Sequence, residues 1–372
     1  MIVIKEVKTK KEQKAFMQFP IDLYKDSPYY VPVLFMDEKK IFRPDYIYNE
    51  TCDVVFYLAY KDNIVVGRIS GIIQKAANLK WNQQRVRFTR FDAINDQEVA
   101  NALFDAVIEW AKKQGMKEIV GPLGYSDLER EGLLIEGFEE LGTYEEQYNY
   151  EYYQHLIDNY GFQKEVDWLE CKLYAPKEKD ERLATLSRKM LDRYHLTMSK
   201  PKSIRWFLKH HVYDFFDIID ETYDHIYGTV PFTKKMVNNM IDGFKSLGNP
   251  NLIGMIHDEN GKMVGFAMAF PSISEAVNKS KGHITLPFIF RFLKARRHPK
   301  VIDMGLIGVL KQYESRGVAT GIISCMQDIF EEQKVEHMET NLILEYNHHM
   351  LNLTKNFDRE FNKRRRCYVK EI

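Results

Sequence analysis

Apolar positions along the chain repeat with two different periods. IVIKEV opens as a short β-rich run, and Lys10 to Leu34 carries helical spacing interrupted by Pro20 and Pro28. Val54 to Tyr60 alternates as a strand, Lys61-Asp62-Asn63 supplies turn residues, and Ile64 to Ile73 returns, which predicts a hairpin. Arg85 to Phe91 reads as another strand. Gln97 to Gln114 predicts a helix, with Val99, Leu103, Val107 and Trp110 on one face and Gly115 at the C-cap position. A strand at Glu118 to Val120, a helix at Tyr152 to Asn159 and a strand at Val166 to Tyr174 follow. The order βαβββαβαβ implies a central sheet with helices on both faces, an α/β fold.

Pro176 and the charged run KEKDER mark a boundary, and the second half repeats the plan of the first. Leu252 to His257, the turn DENGK and Met263 to Phe270 form another hairpin. Gly265 lies 198 residues after Gly67, and Tyr346–Asn347 lies 198 after Tyr148–Asn149. Coincident offsets point to a duplicated fold, with insertions at Gly124 to Gln147 and at about Ser280 to Lys300. The division that follows is 1–176, a linking helix over 177–193, and 194–372.

Composition narrows the class. Lys plus Arg and Asp plus Glu are each 53 in 372 residues, a balance that argues against a nucleic-acid coat. Hydrophobic residues at 45% exclude a disordered chain. The apolar run Ile284 to Ile289 ends at Arg291, well short of the roughly 20 residues of a membrane span. The start MIVIKEVKTKK has apolar residues ahead of its charges, the reverse of the order in a secretory signal, and the four cysteines are scattered, so a cytoplasmic protein with reduced thiols is expected. Histidine pairs at His210–His211 and His348–His349 diverge on a helix, and no metal-ligating spacing occurs. Nucleophile-elbow and Walker loops are absent.

Candidate chemistry concentrates between Val301 and Lys334. Asp303 to Leu310 reads as a buried strand, followed by a polar loop with Arg316 and Gly317 and by a helix from about Ala319. A strand, a glycine loop and a helix N-terminus form an anion-binding arrangement, because first-turn amides lack intrahelical partners. An ordinary βα connection with a turn glycine has the same outline.

The run Glu314-Ser315-Arg316-Gly317-Val318-Ala319 resembles motif A, Q/R-x-x-G-x-G/A, of the acyl-CoA N-acyltransferase (GNAT) superfamily. The GPLGYSDLEREGLLIEGFEE stretch, the YNYEYY helix and DWLECKLY extend the resemblance over nearly the whole chain, to tandem GNAT-like bacterial proteins of poorly defined substrate. The resemblance implies two GNAT-like halves with acetyl-CoA or another acyl-CoA held in the second. It implies that Ile307 and Val309 pair with pantetheine, that the amides of Arg316, Gly317, Val318, Ala319 and Thr320 hold the pyrophosphate, and that Asn347 meets the cofactor. The chain departs from the pattern at Glu314, at Thr354 in place of the tyrosine acid, and at Asp358–Arg359 in place of Gly-Phe. The first half lacks the glycine loop; FDAINDQE links its strand and helix.

The implied activity is acyl transfer to a small-molecule amine. Asp303 shares the parity of Ile307 and Val309 and is the candidate base; an edge carboxylate is the plainer role. Asp127 and Arg130, in the polar insertion before Tyr148, are candidates for acceptor selection, against a solvated excursion. Arg291, Lys294, Arg296, Arg297, His298 and Lys300 alternate with Phe290, Phe292 and Leu293, a composition suited to an acidic partner such as an acyl carrier protein, or to an anionic membrane surface. A solvated amphipathic helix has the same composition. Lys363 to Arg366 reads as the exposed end of a terminal strand. A non-catalytic binding protein with the same fold is the competing expectation.

Overall fold

The computed structural model describes residues 1–176, 181–314 and 316–372. Its strands are β1 (Ile2–Glu6), β2 (Cys52–Lys61), β3 (Ile64–Gln74), β4 (Arg85–Ala93), β5 (Glu118–Gly121), β6 (Leu133–Glu136) and β7 (Gln163–Tyr174), then β8 (Thr197–Ser199), β9 (Ile253–His257), β10 (Met263–Pro271), β11 (Val301–Val309), β12 (His337–Glu339), β13 (Ile343–Leu344) and β14 (Asp358–Glu371). The helices are α1 (Lys10–Leu23), α2 (Phe35–Glu38), α3 (Lys75–Trp81), α4 (Gln97–Lys112), α5 (Tyr152–Asn159) and α6 (Glu181–Arg193), then α7 (Ile204–His210), α8 (Val212–Tyr223), α9 (Lys234–Leu247), α10 (Ser274–Ser280), α11 (Leu286–Arg297), α12 (Val318–Gln333) and α13 (His348–Leu353).

All fourteen strands join one mixed sheet in the order β1-β2-β3-β4-β5-β14-β7-β12-β11-β10-β9-β8, with β6 on β14 and β13 on β7. Each half contributes antiparallel neighbours and one parallel pair closed by a crossover helix: β4 with β5 through α4, and β11 with β12 through α12. The strands that close the two halves then exchange places. β14 pairs with β5 of the first half, β7 pairs with β12 of the second, and the two pair with each other at the centre. A cut at residue 176 therefore divides the chain but not the sheet. Of the linking segment 177–193, residues 177–180 lie outside the described residues and the rest is α6.

The two glycines at the 198-residue offset do the same work. A Cβ on Gly67 would lie 2.8 Å from Leu103 Cδ1 on α4, and a Cβ on Gly265 would lie 2.8 Å from Val318 Cγ1 on α12. Each lets a crossover helix settle onto its hairpin. The opposite face carries α1, whose Phe16 carbonyl accepts from Arg68 at 3.0 Å, and α8, whose Ile218 fills the space beside Gly308.

Lys363 to Arg366 corrects an expectation. The run is not an exposed strand end: it lies inside β14 between β6 and β7, and Lys363 and Arg365 are 3% and 1% exposed. Alternation along the strand turns these two inward and leaves Arg364 and Arg366 on the other face.

Because the closing strands are exchanged, urea unfolding followed by circular dichroism should show one transition for the whole chain. Gly265→Ala should lower its stability by about 1–3 kcal/mol, the usual cost of overpacking, since Val318 must shift.

Candidate functional site

The β11–β12 pair holds for three residues, Val301–Asp303 against His337–Glu339, and then the strands part. A bulge helps to open the wedge. Met268 pairs with Leu306 and Ala269 with Met304, leaving Gly305 unpaired. Only glycine fits, because a Cβ there would lie 2.6 Å from Phe270 and 2.8 Å from the Met268 carbonyl.

Beyond the bulge, the backbone of Ile307 faces away from β10. Its N–H donates to the Tyr223 hydroxyl at 3.3 Å, and its carbonyl accepts from that hydroxyl at 3.1 Å. Val309 has the same parity, opposite Gly265. Asn341 closes the other side, donating to the Gly305 carbonyl at 3.2 Å. These outward groups fit an extended amide-bearing ligand, with Tyr223 now in its place.

The loop fits phosphate less simply. Gly317 adopts φ 79°, and its missing Cβ is used by α6: Met190 Cβ would lie 2.5 Å from it. Four residues on, Gly321 takes Leu191 of the same helix. Gly317 thus serves close helix packing as well as the turn. The Arg316 N–H is already given to the Tyr313 carbonyl at 3.0 Å, and its guanidinium lies over the Tyr313 and Tyr194 rings. Gly321 N–H makes the first helical bond, to the Gly317 carbonyl, and among the described residues the amides of Val318, Ala319 and Thr320 that precede it have no carbonyl partner. Ser315 lies outside the described residues.

Asn347 caps α13, its side chain accepting from the Met350 N–H at 3.1 Å. Thr354 is buried, donates to the Leu351 carbonyl and accepts from Arg359 at 2.7 Å. Its hydroxyl is fully engaged within the turn.

Asp303 sits where the wedge opens. It is 9% exposed, its Oδ1 has no hydrogen-bond partner, and burial together with Glu339 and Glu145 pushes its pKa up to about 7, with Ser272 opposing. Across the central strands lies a buried charged layer that sequence reasoning missed. Lys363 reaches Glu170 at 3.2 Å and Glu339 at 3.3 Å, and Arg365 reaches Glu170 at 2.6 Å and Glu146 at 3.7 Å. Two cations meet two committed carboxylates, Glu170 and Glu339. Burial of Glu339 is outweighed by its hydrogen bond to His337 and by Lys363, and it falls to about 2. Glu146 and Asp303 are then surplus, and burial with no spare cation raises both; Glu146 rises to about 8. The run of four basic residues in β14 gives no sequence signal for this layer.

A cleft of about 510 Å³ opens on the same face. Arg68, Arg90, Glu38, Asp92 and Arg130 line it from the first half, and Met236 and Met240 of α9 from the second. Arg68 joins Asp92 at 2.7 Å and Glu38 at 3.2 Å, and Arg90 joins Glu38 at 2.9 Å. Arg90 holds φ 50°, a costly backbone angle for a side chain within a strand. Arg130 bonds the Val31 and Tyr144 carbonyls, and Glu145 stands on the cleft wall. Asp127 does not line the cleft. It faces Val230, Lys80 and Arg87, and burial raises its pKa.

The first half fills its own wedge with tyrosines. Ala93 N–H donates to Tyr153 Oη at 3.0 Å, the Ala93 carbonyl accepts from Tyr152 at 2.7 Å, and Tyr24 bonds both Tyr153 and Asp92.

No family model matches the sequence. The chain is 28% identical to "Protein YghO" of Escherichia coli (strain K12), over 98% of this chain and 94% of that one. It is 23% identical to "Bacterial ceramide synthase" of Caulobacter vibrioides, over 98% of this chain and 96% of that one. Among solved structures, a tandem GNAT protein from the clavulanic acid biosynthesis pathway superposes with a TM-score of 0.58 at 10% identity, covering 100% of this chain and 98% of that one. A GCN5-related N-acetyltransferase from Sphaerobacter thermophilus superposes with a TM-score of 0.52 at 10% identity, covering 100% and 95%. The chain therefore has the tandem GNAT fold, an acyltransferase fold.

The raised pKa values of Asp303 and Glu146 mean that the folded chain holds these protons more tightly than the unfolded chain. Their contribution to stability is full below about pH 4 and is lost as pH rises through about 7 and 8. Asp303→Asn and Glu146→Gln should each stabilise the protein by roughly 1–3 kcal/mol at pH 8.5 and by much less at pH 4, measured by urea unfolding.

Proposed function

We propose that this chain is an N-acyltransferase that moves an acyl group from acyl-CoA, either acetyl-CoA or a longer thioester, to a small-molecule amine in the cytoplasm. The carrying observation is Asp303: a buried carboxyl with a free oxygen atom and a pKa of about 7, beside a wedge whose backbone faces outward. A base poised near neutral pH can take the proton from an ammonium group and still be ionised half the time.

In this reading the second half holds the donor and the first half shapes the acceptor cleft. The Ile307 carbonyl and the Val309 backbone groups hold the pantetheine arm, and Val318, Ala319 and Thr320 face the pyrophosphate with Arg316 above them. Met190 and Tyr223 must yield as the donor enters. Asp303 accepts a proton from the amine. The amine nitrogen bonds to the thioester carbonyl carbon, and the C–S bond breaks with its electron pair on sulfur. The Ile307 N–H, released from Tyr223, is the donor available for the developing oxyanion. Tyr223 replaces the missing tyrosine beyond Asn347 and gives a proton to sulfur, and the second proton that the acylated nitrogen sheds restores it; burial raises its pKa to about 12, so it keeps its proton until it is needed. Arg130 and Glu145 face the acceptor.

The relative named ceramide synthase favours a lipid amine as acceptor, since a ceramide is an N-acylated amino-alcohol lipid. An acyl carrier protein as thioester donor is the alternative supply. A non-catalytic binding protein is the second reading, favoured by the engaged Thr354 and by Met190 on Gly317.

Calorimetric titration with acetyl-CoA and a long-chain acyl-CoA should give micromolar binding, weakened at least tenfold by Ala319→Glu, which sets a carboxylate among the first-turn amides. Gly317→Glu is a poor probe because its Cβ would strike Met190. Asp303→Asn should lower kcat by about 10²–10⁴ and remove the limb near pH 7 from the kcat/KM profile. No heat with either ligand near a millimolar would end the CoA reading.

A further inference from the structure

The outer face of α11 is apolar where nothing covers it. Thr285 caps the helix by accepting from the Phe288 N–H at 3.3 Å, and Pro287 sits in the first turn. One stripe faces inward: Phe288 is buried against Val31 and Val277, and Phe292 stacks on it at 5.8 Å. The opposite stripe, Leu286, Ile289, Phe290 and Leu293, follows the spacing of a single helix face. Leu286 and Phe290 are each 74% exposed, and Ile284 just before the helix is 47% exposed. Isolated exposed apolar residues are ordinary, but five within ten residues form a patch.

Cations flank that stripe. Arg291, Lys294 and Arg297 are exposed and Arg296 is half-buried, and His298 and Lys300 follow. No carboxylate occurs in the sequence between Glu275 and Asp303. Among the described residues, no carboxylate lies within ion-pair distance of Arg291, Lys294, Arg296 or Arg297, while Lys300 pairs with Glu336. The charge is therefore available to an outside partner.

We propose that α11 is an in-plane membrane-docking helix that seats the protein on an anionic phospholipid surface. Leu286, Ile289, Phe290 and Leu293 enter the acyl boundary, and Arg291, Lys294 and Arg297 meet lipid phosphates. Charge complementarity with uncompensated cations selects an anionic surface. Bulky apolar side chains on one exposed face with cations beside them are the pattern of a helix lying in a bilayer interface. No helix of the described residues is long and apolar enough to cross one. The placement serves the cleft. The turn before α11 is tied to the cleft wall, where Phe35 N–H donates to the Gly282 carbonyl at 2.9 Å and the Phe35 ring stacks on His283 at 5.2 Å. Phe35, Pro32 and Tyr144 line the cleft. A lipid-borne ligand would thus reach the cleft from the surface on which α11 rests.

The experiment is sedimentation of the full chain with vesicles of phosphatidylcholine alone and with about 30 mol % phosphatidylglycerol, at low and high salt. No acyl donor is present, so the result stands apart from acyl transfer. Binding to the anionic vesicles only, weakened at least tenfold by Leu286→Asp with Phe290→Asp and by Arg291→Glu with Lys294→Glu at unchanged melting temperature, would support the proposal. Should the aspartate variant fold poorly, Phe290→Trp gives a second reading: added anionic vesicles should shift its extra emission to the blue. No binding to anionic vesicles, binding indifferent to these substitutions, or capture of an acyl carrier protein through the same residues without vesicle binding would each overturn it.

Discussion

The structure depends on a buried balance of charge where its two halves share strands. Lys363 and Arg365 enter the centre of the sheet on β14, and they are tolerated there because Glu170 on β7 and Glu339 on β12 meet them at hydrogen-bond or near hydrogen-bond distance. Removing either partner would strand a charge away from water, a penalty of several kcal/mol. The layer therefore ties β14 to both neighbouring halves of the sheet. The other face of the strand is paired as well, since Arg366 meets the buried Asp167 of β7 at 2.7 Å.

That balance also shifts the titration of its neighbours. With both cations committed, any further carboxyl near the layer is driven to keep its proton. Asp303 and Glu146 are the two so placed. A carboxyl titrating near neutrality, the base proposed above, thus arises from burial and from the charges around it. The wedge supplies the other half, because a single glycine bulge turns the Ile307 backbone outward beside that carboxyl. The bulge and the titrating carboxyl lie within five residues of one strand.

Local patterns in the sequence carried the hairpins, the α4 and α12 helices and the duplicated plan, because each is written in contiguous periodicity and in glycines that a neighbouring helix must approach. Elements whose position depends on the other half were out of reach. Nothing in DREFNKRRRC indicates that its strand lies between β5 and β7, and a run of four basic residues resembles a surface. Asp303 was legible through parity with Ile307. Tyr223 was hidden, because its hydroxyl meets Ile307 across 84 positions of sequence. Gly317 was legible as a necessary glycine, yet its cause is divided: the helix that crowds it, α6, lies far upstream and shows no motif. Asp127 and Arg130 are three residues apart and face different surroundings, a distinction a polar loop does not encode.

The exchanged strands have a consequence for biogenesis. On the ribosome, β5 and β7 are made long before β14, which fills the gap between them. Until then both present unpaired edges, and Glu170 waits without either cation. The first half cannot mature as an independent unit while the rest is still being made; it must be held open. Open edges of this kind are templates for pairing with another chain. A second copy could offer its own β14 to the vacant place, so nascent chains on one messenger risk interlocking by the same contact that completes the monomer.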